Sequence, residues 1–216
     1  MTESSSDHHD FDRRLEKGDE QALAALFALH RERLWRTVNF RLDHRLRGRV
    51  DPDDVLQEGY LAAAQRIGHY KDLDSRSPFL WLRMIVNQTM IDVHRLHLGA
   101  QMRDANREVA IQGPHYSQTT CTSLAIQLVG SLTSPSRAAV RGEMVEQVEQ
   151  AISEMDPIDQ EVLALRHFEE LTNSEVAEEL CIEQKAASIR YIRAIKRLKE
   201  IMSHLPGFLS EDRDDG

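Results

Sequence analysis

Basic side chains recur near the end of the sequence at spacings that bring them to one side of a helix. Residues 184–203 contain six lysines and arginines and a single glutamate, although the whole chain carries a net charge of −9. Such cations can bind phosphate oxygens, and arginine can also donate to base edges. The stretch is therefore a candidate DNA-binding surface. Its cations are Lys185, Arg190, Arg193, Lys196, Arg197 and Lys199.

A short helix, a tight turn and a longer helix are predicted over Leu171–Met202. Thr172 or Asn173 can cap the first helix, and Glu175 lies where a carboxylate favours the helix N-terminus. This arrangement matches the helix-turn-helix motif, in which the second helix enters the major groove. A helical hairpin with a solvated basic face fits the pattern equally well. The apolar stripe of the second helix is formed by Ala187, Tyr191, Ala194 or Ile195, Leu198 and Met202.

His94 and His97 lie three residues apart on a predicted helix, with Asp92 nearby. Two histidines at this spacing can bind a metal ion, but the sequence supplies neither an HExxH motif nor a third ligand. We therefore predict no metal and no other cofactor, and we expect His97 to pack or to cap. Cys121 and Cys181 form no CxxC pattern, so reduced thiols are expected.

The chain is acidic overall and carries no sign of a membrane span. Its 216 residues include 27 lysines and arginines and 36 aspartates and glutamates. An acidic protein does not bind nucleic acid indiscriminately, so any DNA contact has to come from a local basic patch. The sequence has no run of about 18 uncharged apolar residues, and its polar N-terminus does not resemble a signal peptide. We expect a cytoplasmic protein.

Helical periodicity predicts an all-α fold in two small modules. One helical stretch is predicted from residue 11 to about residue 46, with a break near its start at Gly18. Asp51-Pro52 and Asp156-Pro157 each place a capping residue before a proline, which is a helix-start signal. Gln112–Ser136 is rich in Gly, Pro, Ser and Thr, which predicts mainly linker. The predicted modules are 11–108 and 138–204, joined by a flexible linker over 109–137.

Four segments match one set of family motifs in the same order. They are Asp53–Glu58 (DDVLQE), Trp81–Arg95 (WLRMIVNQTMIDVHR), Asp156–Phe168 and Leu171–Glu200. Together they resemble RNA polymerase sigma factors of the sigma-70 superfamily, extracytoplasmic-function (ECF) type. The first two segments resemble region 2, and the last two resemble region 4 with its helix-turn-helix. The stretch RLRGRVDPDDVLQE looks closest to ECF factors of planctomycete-like bacteria.

The resemblance implies a function without covalent chemistry, and so not an enzyme. A sigma factor binds core RNA polymerase, at the beta-prime clamp and the beta flap, and directs it to promoter DNA. The resemblance also allows an anti-sigma factor as partner. It implies core-polymerase binding by Asp54, Val55, Gln57, Glu58 and Leu61. It implies that minus-10 DNA is contacted by Arg83, Asn87 and Arg95 on the exposed side of their helix, and minus-35 DNA by Lys185, Ser188, Arg190, Arg193 and Arg197. Trp81 is expected in the core.

Two features depart from the family pattern. Cys181 stands at the turn of the helix-turn-helix, where the family usually has glycine. A left-handed conformation there costs a residue with a side chain about 1 kcal/mol more than glycine. Ile189 and Ile192 occupy positions that are commonly polar and face DNA. They either contact thymine methyl groups or pack on another part of the protein.

Two other functions are compatible with parts of the sequence. One is a helix-turn-helix regulator that acts without docking on polymerase, which would leave the DDVLQE segment without a role. The other is a helical metal-dependent enzyme using His94 and His97, although their spacing does not require one.

Overall fold

The computed structural model describes residues 12–72, 77–98, 118–132 and 138–203. Every element of regular secondary structure in these residues is a helix, and none is a β-strand. The all-α prediction is therefore confirmed. The chain divides into two compact units, Met1–Ile111 and Gln112–Gly216. The described part has no helix long and apolar enough to cross a bilayer.

The described part of the first unit contains four α-helices and two short 3₁₀ helices. In chain order they are α1 (12–16), α2 (Glu20–Arg41), a 3₁₀ helix (His44–Leu46), α3 (Pro52–Arg66) with its 3₁₀ continuation (Ile67–Asp72), and α4 (Pro78–Leu98). Residues 118–132 and 138–203 of the second unit contain five α-helices. They are α5 (Gln118–Leu132), α6 (Ala138–Ser153), α7 (Pro157–Leu163) with a π-helical turn (Ala164–Phe168), α8 (Asn173–Glu179) and α9 (Gln184–Ser203).

Both predicted cap-and-proline signals start helices. The Asp51 carboxylate accepts a hydrogen bond from the Asp53 amide at 2.9 Å, and that of Asp156 accepts one from the Ile158 amide at 3.0 Å. In each case proline follows at the first helical position, where its missing N–H costs nothing. The starts of α3 and α7 are therefore encoded locally.

The helical stretch predicted over residues 11–46 is three helices. The predicted break at Gly18 is confirmed, with φ 73° at this glycine, but the second break, after Arg41, was not predicted. Asp19 caps α2 by accepting hydrogen bonds from the amides of Gln21 and Ala22. Asp43 caps the 3₁₀ helix that follows α2 in the same way, because its carboxylate accepts a hydrogen bond from the Arg45 amide at 2.9 Å. Short acidic side chains compete with the helical backbone for its N–H groups, which breaks an otherwise continuous pattern.

Helices α2, α3 and α4 pack on one another and form the core of the first unit. Trp81 is 2% exposed and packs edge-on against Tyr70, with ring centroids 5.0 Å apart, which confirms its predicted core position. Gly59 on α3 lies against Val86 on α4. A Cβ atom at Gly59 would be 2.9 Å from Val86 Cγ2, so this glycine lets the two helices approach closely.

The linker predicted over Gln112–Ser136 was wrong for residues 118–132, which form α5. This helix packs on α6 and α7, and its buried residues include Leu124, Ala125 and Val129. Thr122 Oγ1 donates a hydrogen bond to Glu149 Oε1 at 2.6 Å. The Ser and Thr content favours irregular backbone, but the buried face and these polar contacts outweigh it. The rest of the predicted linker, residues 109–117 and 133–137, lies outside the described residues.

Candidate nucleic-acid interface

The helix-turn-helix begins at a reciprocal cap on α8. The Thr172 hydroxyl accepts a hydrogen bond from the Glu175 amide at 3.2 Å, and the Glu175 carboxylate accepts one from the Thr172 amide at 2.6 Å. This capping box satisfies two amides that have no partner within the helix. Of the two capping residues predicted, Thr172 is the one used.

The turn between α8 and α9 depends on a left-handed residue. Cys181, which stands in place of the family's glycine, has φ 52°, and this value lies in the left-handed region. The chain closes around it through a hydrogen bond from the Ile182 amide to the Ala177 carbonyl at 2.9 Å. Asn173 Nδ2 then donates to the Gln184 carbonyl at 2.8 Å, so the start of α8 is tied to the start of α9. The orientation of α9 relative to α8 follows from these contacts.

Helix α9 has a buried face and an exposed face. Ala187, Ala194 and Ile201 are buried. The predicted stripe is therefore confirmed as buried at Ala187 and Ala194, whereas its other members are half-buried: Tyr191, Ile195, Leu198 and Met202. Six exposed residues lie on the other side at helical spacing, and we call them the exposed arc of α9. They are Lys185, Ser188, Ile189, Ile192, Arg193 and Lys196.

The exposed arc offers cations that are not neutralised by neighbours. Within the described residues, Lys185, Arg193 and Lys196 form no ion pair. Arg197 is half exposed and lies 3.4 Å from Glu200, a contact that is weak at this exposure. Lys196 belongs to the arc although the sequence reasoning left it out of the site residues. Its spacing of eleven residues from Lys185, three helical turns, was the signal that would have included it.

Arg190 does not belong to the exposed arc, contrary to its predicted place among the DNA contacts. Its Nη1 lies 2.7 Å from Asp159 Oδ1 and 3.4 Å from Asp156 Oδ2. The Asp159 side chain is 6% exposed and the Arg190 side chain is 28% exposed, so the carboxylate is shielded from water and the arginine is partly so. The hydrogen bond to Asp159 raises the pKa of Arg190 above its usual value. This arginine joins α9 to α7, an earlier helix of the same unit.

The predicted minus-10 residues on α4 occupy three different environments. Arg83 is 1% exposed, so the prediction that it lies on the exposed side was wrong. Asn87 is half-buried, and its Oδ1 atom is enclosed without a donor among the described residues. Arg95 is exposed and lies 3.4 Å from Asp92, one turn away. An arginine buried to this degree cannot reach DNA, which leaves Asn87 and Arg95 as candidates on this helix.

The residues predicted to bind polymerase lie on α3, and four of the five form one exposed face. Asp54, Gln57, Glu58 and Leu61 are exposed at spacings of three and four residues, and Leu61 retains 59% of its accessible surface. Val55 is 1% exposed and packs in the core, so its predicted surface role was wrong. The periodicity explains the error, because position 55 falls on the opposite side of the helix from 54, 57 and 61. We call the four exposed residues the α3 face.

Each of the two units contains a segment that matches a known sequence family. Residues 26–97 match the model of Sigma-70 region 2, and residues 151–200 match that of Sigma-70, region 4. Together these segments include more than half of the chain. The chain belongs to the sigma-70 family. The region 2 match spans most of α2 together with α3 and α4, and the region 4 match contains the helix-turn-helix.

One solved structure supports the fold of this sigma-70 family chain. The chain is similar to one in the structure of CnrH in complex with the cytosolic domain of CnrY, with 20% identity and a TM-score of 0.50. That match covers 91% of this chain and 97% of the other. A chain of the flagellar sigma/anti-sigma complex Sigma-28/FlgM also matches, at 17% identity and a TM-score of 0.29, over 95% of this chain and 100% of that one. A comparison with curated protein sequences found no match.

His94 and His97 of the sigma-70 family chain lie in different environments. His94 is buried, and its Nε2 accepts a hydrogen bond from the Asp43 amide at 3.3 Å; burial lowers its pKa. The side-chain hydrogen bond from Arg45 lowers the pKa of Asp43 to about 2. His97 is exposed, so the expectation that it packs was wrong. Among the described residues, no three His, Cys, Asp or Glu side chains are grouped as metal ligands.

Cys121 and Cys181 are both free thiols in different settings. Cys121 is buried on α5, and burial raises its pKa to about 11, so its thiolate is rare at neutral pH. Cys181 is exposed at the turn of the helix-turn-helix. The thiol of Cys181 is therefore the accessible one of the two.

Proposed function

We propose that this sigma-70 family chain is an ECF-type sigma factor that binds core RNA polymerase and directs promoter-specific initiation. The observation that carries the proposal is the exposed arc of α9, a row of unpaired cations on a capped helix-turn-helix in a chain of net charge −9. The motifs quoted above favour the planctomycete-like ECF subgroup within that type.

The exposed arc is assigned to the minus-35 element. Helix-turn-helix proteins place the second helix in the major groove, where side chains near its N-terminus reach base edges. Lys185 and Ser188 lie in the first two turns of α9, and Arg193 and Lys196 follow on the same side. Lysine and arginine at these positions supply phosphate contacts, which position the helix but do not specify sequence. Arg197 is assigned to the phosphate backbone beyond them.

Opening of the minus-10 element is assigned to α4. Unpaired bases are stabilised by stacking and by phosphate contacts, each base contributing about 1–3 kcal/mol. Arg95 is exposed and can bind a phosphate, while its contact with Asp92 is loose enough to be exchanged. Asn87 supplies an amide for a base edge if its side chain rotates outward. Arg83 takes no part because it is enclosed in the fold.

Docking on core polymerase is assigned to the α3 face. Asp54 and Glu58 give it negative charge, and Leu61 adds an exposed apolar group at one end. Such a face complements a basic partner surface with an apolar pocket, as the resemblance implies for the beta-prime clamp. Asp53 is separate, since its carboxylate lies 2.6 Å from Arg31 Nη2 and stabilises the contact of α2 with α3.

The net charge favours recruitment over independent binding. A protein of charge −9 is repelled by DNA at long range, and only the exposed arc offsets this locally. Association with polymerase supplies the affinity that the free chain lacks, because linked binding raises the local concentration of the second site. We expect weak, salt-sensitive binding of the isolated chain to duplex DNA.

A regulatory partner is part of the proposal. The similar CnrH structure is a complex with the cytosolic domain of CnrY. An anti-sigma factor for this chain would have to cover the α3 face or the exposed arc to prevent initiation. Binding of such a partner should therefore compete with core polymerase or with promoter DNA.

Run-off transcription tests the proposal directly. The purified chain is added to sigma-free core polymerase from its host with fragmented host DNA, and new transcript starts are mapped. Discrete starts that share two upstream motifs at fixed spacing would support a sigma factor. Absence of initiation together with absence of a stable complex on core polymerase would refute it. Specific duplex binding by the chain alone would then point to a helix-turn-helix regulator.

A further inference from the structure

We propose that Ile189 and Ile192 read thymine methyl groups in the major groove of the minus-35 element. This inference rests on the proposed function, because it assigns a base preference to the same helix. It goes further by naming two apolar side chains as the specificity determinants of α9.

Both isoleucines are exposed where the fold gives them no structural role. Ile189 retains 49% of its accessible surface and Ile192 retains 67%. The second unit takes its core residues from other positions of α9, such as Ala187 and Ala194, which are fully buried. Isoleucine is also a weaker helix former than alanine or lysine, so neither packing nor propensity explains it at exposed positions. Their alternative predicted role, packing on another part of the protein, is not seen among the described residues.

The two side chains are neighbours on one face. Residues three apart on a helix lie side by side, and their separation along the axis is about 4.5 Å. One base-pair step in B-DNA is about 3.4 Å on each strand. A helix lying in the groove would therefore bring Ile189 and Ile192 to adjacent or next-but-one base pairs.

The surrounding charge identifies DNA as the occupant. Lys185 precedes Ile189 by one turn, Arg193 adjoins Ile192, and Lys196 follows it by one turn. None of the three forms an ion pair within the described part of the chain. The apolar pair is thus framed by cations along the helix axis, which suits a polyanion with phosphates on both sides of a groove. The thymine methyl is the apolar group that the major groove presents among its hydrogen-bonding edges.

Isoleucine is suited to this contact. Its β-branched side chain has few rotamers in a helix, so little conformational freedom is lost when it meets a methyl group. Contact with a methyl selects thymine over cytosine on the same side of a base pair, since cytosine lacks the group. We expect the minus-35 element to contain thymines at two positions facing α9.

Deoxyuridine substitution isolates this contact. Deoxyuridine retains every hydrogen-bonding group of thymidine and lacks only the methyl. A promoter obtained from the run-off experiment is synthesised with each minus-35 thymidine replaced in turn, and initiation by the full chain with core polymerase is measured. At the two positions that face the isoleucines, we expect initiation at subsaturating protein to fall about fourfold per methyl.

Variants of the full chain assign each methyl to its side chain. Ile189→Ala and Ile192→Ala should each abolish the deoxyuridine effect at one position and retain it at the other. Alanine is favourable at exposed helix positions, so both variants should fold, which far-ultraviolet circular dichroism verifies. Lys196→Ala is the matched control. It should reduce initiation equally on thymidine and deoxyuridine templates, because a phosphate contact carries no base information.

Two results would overturn the inference. Equal initiation on thymidine and deoxyuridine templates would do so while leaving the sigma function intact. Isoleucine variants that keep full deoxyuridine sensitivity but lose affinity for core polymerase would assign the pair to a protein surface instead. Failure to initiate on any template would refute the proposed function itself, and is distinguishable because it occurs with thymidine templates as well.

Discussion

Arg83 and Arg190 were both predicted to contact DNA, but in the structure both are engaged within the protein. Arg83 is 1% exposed, and Arg190 binds the buried carboxylate of Asp159. Helical spacing identifies which residues share a face with them but does not show which face a neighbouring helix covers. For Arg190, the deciding partner is 31 residues away in the sequence. The exposed cations Lys185 and Arg193 stay predicted DNA contacts.

Removing the Arg190 side chain should destabilise the second unit. Arg190→Ala leaves Asp159 without its charged donor, and a hydrogen bond of this kind contributes about 1.5–3 kcal/mol. We expect the free energy of unfolding to fall by about 2 kcal/mol in urea titrations of the full chain.

Arg193→Ala is the matched control for this loss, because Arg193 is exposed, and should change stability by less than about 0.5 kcal/mol. A double-mutant cycle with Asp159→Asn should show coupling between the two sites. If Arg190→Ala unfolded like the wild type yet initiated poorly, Arg190 would be a DNA contact as the sequence suggested.

Cys181 should be a site where glycine stabilises the protein. Its φ of 52° costs an L-residue with a side chain about 1 kcal/mol, and glycine avoids that cost. Cys181→Gly is therefore expected to raise the free energy of unfolding by up to about 1 kcal/mol. Cys181→Ala keeps the Cβ atom and should give no gain. Equal stability of the two variants, measured by urea unfolding, would show that the turn is not strained.

At the scale of elements, the packing of α3 on α4 depends on the close approach of the two helices at Gly59. Gly59 has no room for a Cβ atom beside Val86, whose branched side chain cannot easily move. Overpacking typically costs about 1–3 kcal/mol and exceeds the helix propensity that alanine gains over glycine. Gly59→Ala should consequently lower the stability of the first unit by about 1 kcal/mol.

The opposite sign is expected at Gly142. It lies within α6 with open space where a Cβ atom would be, so Gly142→Ala should stabilise by about 1 kcal/mol through helix propensity alone.

Adding Val86→Ala to Gly59→Ala should recover part of the lost stability relative to the sum of the single changes. Thermal unfolding monitored by circular dichroism gives all three values. A stabilising Gly59→Ala would show that α3 and α4 are not in close contact there.

Helix α5 was the element that the sequence did not predict. Its Ser, Thr and Gly content is typical of linkers. The helix is stabilised by burial of Leu124 and Val129 against α6 and α7 and by the hydrogen bond of Thr122 with Glu149. Short polar side chains can favour either state, and here contacts from distant parts of the chain decide.

At the scale of the whole molecule, polymerase docking and promoter reading should be separable. Leu61→Asp places a charge in the apolar part of the α3 face, and we expect the affinity for core polymerase to fall roughly tenfold or more. Fluorescence anisotropy of the labelled chain titrated with core polymerase measures this. Leu96→Asp is the matched control, because Leu96 is equally a surface leucine, 78% exposed on α4.

The reverse pattern is expected for the exposed arc. Arg193→Ala should retain the affinity for core polymerase and reduce promoter-specific initiation, with a smaller dependence on salt. Loss of polymerase affinity in Arg193→Ala as large as in Leu61→Asp would contradict the assignment of the two surfaces to different partners.

The sequence by itself determined the all-α class, the starts of α3 and α7 and the capped helix-turn-helix. Each of these depends on residues within one or two helical turns, where capping groups, proline and backbone sterics act. It also identified the α3 face and most of the exposed arc of α9, because helical periodicity is a local property. Only the tertiary structure decided the burial of Val55 and Arg83, the pairing of Arg190 with Asp159 and the helicity of α5. These outcomes depend on which surface a distant helix covers, and the energy of burial is gained only when both partners are present.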